Sequence, residues 1–290
     1  MLDEHTGFCA PDRIDHYKKT GSCLKTNEAR QLINVHNKKS PSRQLPTNID
    51  FKNMLIELKR NLPDTCKQEH CLLKKPEFAK HVKSSFRPAK PSEWEQNARE
   101  WLNTDDIIAV LKQYESSHTH FEFVGVFPIN FAEKHGDACI SRRICDVPMF
   151  MERIVYSGKT QFGIVFNLDR HDQSGSHWVT MYCNLDPAMR FYGVYYYDAV
   201  AVPPKKEFRD LMNEIQKYVH THIRPQSERH FCKQYNKHRR QYKNTECGVF
   251  CMVFIINCIQ YGSHTHFRKV CMNMKDDDHI HQHRHVLYTP

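Results

Sequence analysis

The stretch Gln241-Tyr242-Lys243-Asn244-Thr245-Glu246-Cys247-Gly248-Val249-Phe250 decides how the chain is read. A polar, basic approach turns at one cysteine into the apolar run Val249-Phe250-Cys251-Met252-Val253-Phe254-Ile255-Ile256. That switch predicts a buried helix whose first turn carries a thiol. The unpaired N–H groups and partial positive charge of a helix N-terminus stabilise a thiolate there. Gly248 has no side chain, so a substrate backbone is expected to approach closely. Gln241 lies 247 − 241 = 6 positions upstream, a reach that suits an amide donor to a developing oxyanion. A cysteine before an apolar helix is most often a core residue, so the nucleophile reading needs a base.

The base lies upstream. Gly175-Ser176-His177-Trp178-Val179-Thr180-Met181-Tyr182-Cys183 reads as a strand that opens on a histidine. After a short polar break, Phe191-Tyr192-Gly193-Val194-Tyr195-Tyr196-Tyr197-Asp198 reads as a second strand that closes on an aspartate. Strands joined by so short a connection pair antiparallel. His177 and Asp198 are therefore expected at the same end of one hairpin, where a carboxylate fixes the imidazole tautomer and stabilises the imidazolium. His171, in the polar loop before Gly175, opens no strand and ranks below His177.

His177-Trp178, Asp198 and Gln241-x5-Cys247-Gly248 resemble the active-site pattern of the ubiquitin-like-protein (SUMO) protease superfamily, which includes the adenovirus protease. Gly163-Ile164-Val165-Phe166-Asn167-Leu168-Asp169 and Thr245-Glu246-Cys247-Gly248 resemble a narrower branch. That branch is the polyprotein-processing cysteine proteases of large nucleocytoplasmic DNA viruses, the African swine fever virus protease among them. The resemblance covers roughly the C-terminal two-thirds of the chain. It implies an α+β fold with a papain-like, adenovirus-protease-like core: a mixed central sheet flanked by helices. It also implies cleavage after small residues, typically a Gly-Gly pair, with Trp178 walling a narrow substrate channel.

The 290 residues leave room for a sizeable core and one or two domains. A formal net charge of +9 points to an acidic or nucleic-acid partner, or to a solvated basic surface. Met1-Leu2-Asp3-Glu4-His5 is polar, and no apolar run approaches the ~18 residues of a membrane span. The 12 cysteines are scattered, which predicts reduced thiols in an intracellular, reducing setting. With the viral resemblance, the expected location is the virion and the host cytoplasm.

Residues 1–91 are expected to form a helical accessory region. It holds a helix from Thr26 to Asn37, a linker at Ser40–Asn48, and a helix in which Phe51, Met54, Leu55, Leu58 and Leu62 recur at helical spacing. Cys66 and Cys71 flank His70, a spacing that fits few zinc sites. Residues 92–290 are expected to be the catalytic domain, starting with two helical pieces on which Trp94 and Trp101 share a face. Ala132 to Lys159 reads as a loop with a short helix or strand. Pro203-Pro204 opens a core helix, and Lys237-His238-Arg239-Arg240 is a basic cluster before the site. Residues 266–290 read as a polar tail. With His264 and His266, this stretch carries His279, His281, His283 and His285 and binds metal only adventitiously. No cofactor and no metal ligand is expected.

The chemistry expected is peptide-bond hydrolysis by covalent catalysis: Cys247 as nucleophile, His177 as base and then acid, Asp198 as orienter, Gln241 as oxyanion donor, with Trp178 and Gly248 along the substrate channel. Three classes compete: a protease of viral structural precursors, an isopeptidase that strips a ubiquitin-like modifier from host proteins, and a binding module without catalysis. The four polar site residues argue against the third. An acetyltransferase of similar catalytic order is more remote. The partner is a polypeptide in the first two classes, with a nucleic-acid contact through the basic surface and no membrane.

Overall fold

The computed structural model describes residues 8–223, 229–261 and 265–290. His264 and the first seven residues lie outside them. The chain divides into one unit of residues 1–90 plus His285–Pro290, and a second of Pro91–Arg284.

In the first unit the apolar spacing read from sequence becomes helix: α1 (Ile14–Thr20), α2 (Thr26–Lys39), α3 (Phe51–Arg60) and α4 (Pro76–Val82). Glu28 turns back to the backbone N–H of Lys25 at 2.7 Å and starts α2. Leu32, Ile33, Met54, Leu58, Phe78 and Val82 form the centre of its core. Residues from the far end of the chain complete it. Leu287 and Tyr288 are buried, and Thr289 exchanges backbone hydrogen bonds with Pro88 and Lys90 at 2.8 and 3.0 Å.

The second unit opens with α5 (Thr104–Lys112), started by an Asn103/Asp106 capping box, and α6 (Tyr114–Ser117). β1 (Phe121–Pro128) follows, then a small ladder of β2 (Lys134–His135) and β3 (Ala138–Cys139), then α7 (Val147–Tyr156). Next come β4 (Gln161–Asn167), β5 (Trp178–Asn184), β6 (Gly193–Tyr197), α8 (Lys206–Tyr218) and β7 (Cys232–Tyr235). The unit ends with α9 (Cys247–Tyr261), α10 (Phe267–Asn273) and α11 (Asp277–Gln282). The last helix, α12 (Arg284–Leu287), leads into the terminal residues.

The five long strands make one mixed sheet in the order β1-β4-β5-β6-β7, parallel at both edges and antiparallel in the middle. The fold is α+β. Both faces of the central strands are buried, so they read as near-continuous apolar runs. Phe162, Ile164, Val179, Met181, Val194 and Tyr196 face α7 and α8. The opposite face receives α9, which is buried along nearly its whole length, as an all-round apolar helix must be. Tyr197 stacks on Phe254 with ring centroids 4.8 Å apart. A side chain at Gly163 would stand 3.0 Å from Ile255, so a glycine lets α9 come this close.

The structure corrects several expectations. Trp94 and Trp101 share no helix face: Trp94 lies in a short 3₁₀ turn, and α5 starts only after Asn103. Residues 266–290 are largely helical, because Phe267, Val270, Met274, Ile280 and Leu287 supply buried positions among the polar residues. Six of the 12 cysteines are paired, Cys9–Cys23, Cys66–Cys71 and Cys139–Cys145, against the expectation of thiols throughout. Composition cannot reveal which sulfurs the fold brings together. All paired cysteines lie at or before residue 145, and the free ones begin at Cys183.

Candidate active site

His177 precedes the first residue of β5, and its loop is fastened to the strand next door. The Leu168 N–H donates to the His177 carbonyl at 2.9 Å. The Asn167 side-chain oxygen accepts from the backbone of Asp169 and Ser176 at 2.9 and 3.3 Å. Gly175 has φ +94°, and an added Cβ would lie 2.7 Å from the Asn167 amide, so glycine is required there.

Asp198 follows the last residue of β6. Thr180 faces Tyr197 in the antiparallel register, which brings the two chain ends together. His177 Nε2 lies 2.7 Å from Asp198 Oδ1. The carboxylate also accepts from the Val200 and Val202 N–H groups at 2.8 and 3.1 Å. The buried side chain of Asn236, just past β7, holds the Asp198 backbone from both sides at 2.9 and 2.6 Å.

Cys247 is the first residue of α9 and is 1% exposed. Its thiol and the Asp198 carboxylate are the two neighbours that favour the charged form of His177. Burial opposes charging of the imidazole, but these two partners outweigh it, and the His177 pKa is raised to about 9. Gln241 is buried, its N–H donates to the Ala199 carbonyl at 2.9 Å, and its side-chain oxygen has no partner. His177, Gln241, Arg239 and Tyr242 line a cavity of about 440 Å³. Trp178 lines a second, of about 460 Å³, with Trp101, Leu102 and Gly175. The indole N–H of Trp178 donates to the Leu102 carbonyl at 3.0 Å.

Gly248, the second residue of α9, is buried. A Cβ there would meet Leu102 and Trp178 side chains at 3.2 and 3.3 Å, so the protein's own packing occupies the space. His171 sits apart, bonded to Asn130. Burial raises the thiol pKa of Cys183, Cys251 and Cys258 well above the ordinary value, and that of Cys271 to about 12. Among the described residues, the one cluster with metal-ligand geometry is Cys66, His70 and Cys71. Its two sulfurs are placed as a pair in this structure.

A thiol at a helix start, a histidine shared between that thiol and a carboxylate, and a buried amide six residues upstream can together perform acyl transfer. Residues 164–285 match the model of the Ulp1 protease family, C-terminal catalytic domain. That segment is similar to an Ulp1-family cysteine protease domain. A protein of Acanthamoeba polyphaga mimivirus named as a thiol protease is 26% identical over 278 residues, 87% of this chain and 84% of that one. The crystal structure of an ASFV protease superposes with a TM-score of 0.64 at 16% identity, covering 99% of this chain and 97% of that one, a likeness of fold. A structure of SUMO protease Ulp1 has a TM-score of 0.41 at 15% identity over 64% of this chain and 77% of that one.

Sequence reasoning missed several polar residues that support this Ulp1-like domain. Asn236, just past β7, is one of them. Glu246, fully buried, passed as part of a polar approach. Asp277 and Arg284 were absorbed into a supposed tail, yet both are buried. The available signal was a set of charged residues interleaved with apolar ones at helical spacing.

Proposed function

We propose that the protein is a cysteine endopeptidase that cuts viral structural precursors after small residues of the Gly-Gly type. The observation that carries this reading is His177, 2.7 Å from the Asp198 carboxylate, with its charge favoured by the thiol at the N-terminus of α9. The Cys247 thiolate attacks the scissile carbonyl carbon. The oxyanion that forms is held by the Gln241 side chain and the Cys247 N–H, a contribution of about 3 kcal/mol. The carbon–nitrogen bond breaks as the His177 imidazolium passes its proton to the leaving amine. Water, deprotonated by His177, then hydrolyses the thioester and frees the thiol.

The viral-precursor reading is supported by the mimivirus relative, whose match extends beyond the catalytic domain over most of both chains. The isopeptidase reading draws on the family model alone, which bears the Ulp1 name. The preference for small residues is supported by the bulk of Trp178, beside His177 and lining a cavity. The virion and the host cytoplasm remain the expected locations. A nucleic-acid contact rests on the net charge of +9, and salt-dependent binding to duplex DNA tests it.

The deciding experiment offers the purified protein two substrates: a precursor polypeptide with internal Gly-Gly sites, and a ubiquitin-like modifier in isopeptide linkage. Cleavage of the first at Gly-Gly, abolished in Cys247→Ser, supports the proposal. Cleavage of the modifier alone transfers the protein to the isopeptidase class.

A further inference from the structure

The five residues 242–246 that separate Gln241 from Cys247 have no helix or strand of their own. They are held from both ends by side chains more than thirty positions downstream. At the first end, Asp277 accepts from the N–H groups of Tyr242 and Lys243 at 2.7 and 3.1 Å. At the second, Glu246 Oε2 receives Arg284 Nε at 2.8 Å. The other nitrogens of the same guanidinium donate to the carbonyls of Glu100 and Thr245 at 2.7 and 3.1 Å. Its plane lies over Trp94, 4.4 Å from the ring centroid. Glu246 Oε1 is met by His281 Nδ1 at 3.0 Å and by Arg99 at 3.3 Å. Arg284 and Glu246 are 1% and 0% exposed.

A buried ion pair contributes little net stability compared with apolar residues of the same shape. Its placement at this point calls for another reason. Glu246 directly precedes the thiol that must carry negative charge, at the helix terminus that favours that charge. A bare carboxylate there would oppose the attacking thiolate. Arg284, the closer and more buried of the two guanidiniums on Glu246, offsets most of that charge, and by gripping the Thr245 carbonyl it also fixes the turn into α9.

We propose that Arg284, acting through Glu246, is a positioning residue for the nucleophile. It sets the approach of Cys247 to Gln241 and His177 and neutralises the carboxylate beside the thiol. This rests on Cys247 being the nucleophile. Arg284 touches no substrate atom, so its loss lowers kcat and leaves KM in place.

The test is a double-mutant cycle of Arg284→Met and Glu246→Gln, with Arg284→Lys as the conservative variant. It is read by peptide cleavage, by the rate of iodoacetamide labelling of Cys247 near neutral pH, and by thermal melting. Arg284→Met should lower kcat about 10²-fold, the size of effect a small misplacement of reacting groups produces. Labelling should slow in parallel. Glu246→Gln added to Arg284→Met should recover part of the labelling rate, because the carboxylate that Arg99 and His281 then neutralise only in part is gone. Arg284→Lys should fall between wild type and Arg284→Met, since it keeps the charge and loses the fork. Wild-type kcat and labelling in a folded Arg284→Met overturn the proposal. So does a double variant that labels no faster than Arg284→Met, which would leave only a structural brace. Full activity in Cys247→Ser would instead remove the nucleophile assignment beneath it.

Discussion

The two halves of the candidate site are built by different means. The His177–Asp198 half sits at the ends of neighbouring antiparallel strands, and their register, with Asn236 holding the Asp198 backbone, brings the two side chains to 2.7 Å. The Gln241–Cys247 half hangs on an irregular loop fixed by Asp277, Arg284 and Glu246. A strand pair holds geometry through repeated local hydrogen bonds. A loop holds it only as well as its few remote partners do. Changes in the first half should therefore act through proton transfer, and changes in the second through alignment.

The largest effect should come from removing the reacting groups. Cys247→Ser and His177→Ala should each lower cleavage by on the order of 10⁴-fold or more, with melting temperatures near wild type. Labelling with iodoacetamide at about pH 6, where ordinary thiols are slow, should mark Cys247 ahead of every other cysteine. Labelling of another cysteine, with full activity in Cys247→Ser, would end the comparison.

Asp198→Asn comes next, and it isolates the strand-borne half. The His177 pKa of about 9 lies above that of free imidazole, near 6.5. The imidazolium that delivers the proton is therefore present at neutral pH and is lost as pH rises through about 9. Activity should fall on the alkaline side near there. Asp198→Asn removes a partner that raises the pKa, so that limb should move downward, toward about 6.5. The same sign governs stability. What His177 contributes to folding is complete below about 6.5 and disappears as pH rises through about 9. A pH profile unchanged in Asp198→Asn would contradict this coupling.

Smaller effects should appear in the loop-borne half. Asp277→Ala leaves the Tyr242 and Lys243 N–H groups without their acceptor, at a cost of about 1–3 kcal/mol. Denaturant melts should show the loss, and kcat should drop more than KM. Gly248→Ala forces a methyl against Leu102 and Trp178 and should destabilise by about 1–3 kcal/mol. The smallest effect should follow reduction of the three disulfides. The matched family domain contains only free cysteines, so peptide cleavage should persist while the first unit loosens, as proteolysis of residues 1–90 would reveal.

How legible the molecule was from sequence divides along the same line. The hairpin was readable because two aromatic strands, a short break and a polar residue at each outer end leave one register that buries the apolar side chains. The α9 start was readable because polarity changes abruptly at Cys247. The bracing of the loop was not readable. It pairs Glu246 with Arg284 and Tyr242 with Asp277, contacts that no local periodicity encodes. The run of His and Asp after His264 hid the helical pattern beneath a composition typical of tails. Cysteine spacing gave no sign that Cys9 and Cys23 would meet, since only the folding of α1 brings them together.

The return of the last six residues to the first unit has a consequence for biosynthesis. The pairing of Thr289 with Pro88 joins positions 201 apart in sequence. On a ribosome, residues 1–90 emerge first but lack Leu287, Tyr288 and Thr289 until the entire second unit has been made. The second unit, a continuous segment from Pro91 to Arg284, can close earlier. The first unit is thus completed after the second, and a chain interrupted at residue 284 would carry a finished sheet and an unsealed helical unit. Pulse-labelled chains released at residue 284 should show protease resistance in the second unit and none in the first.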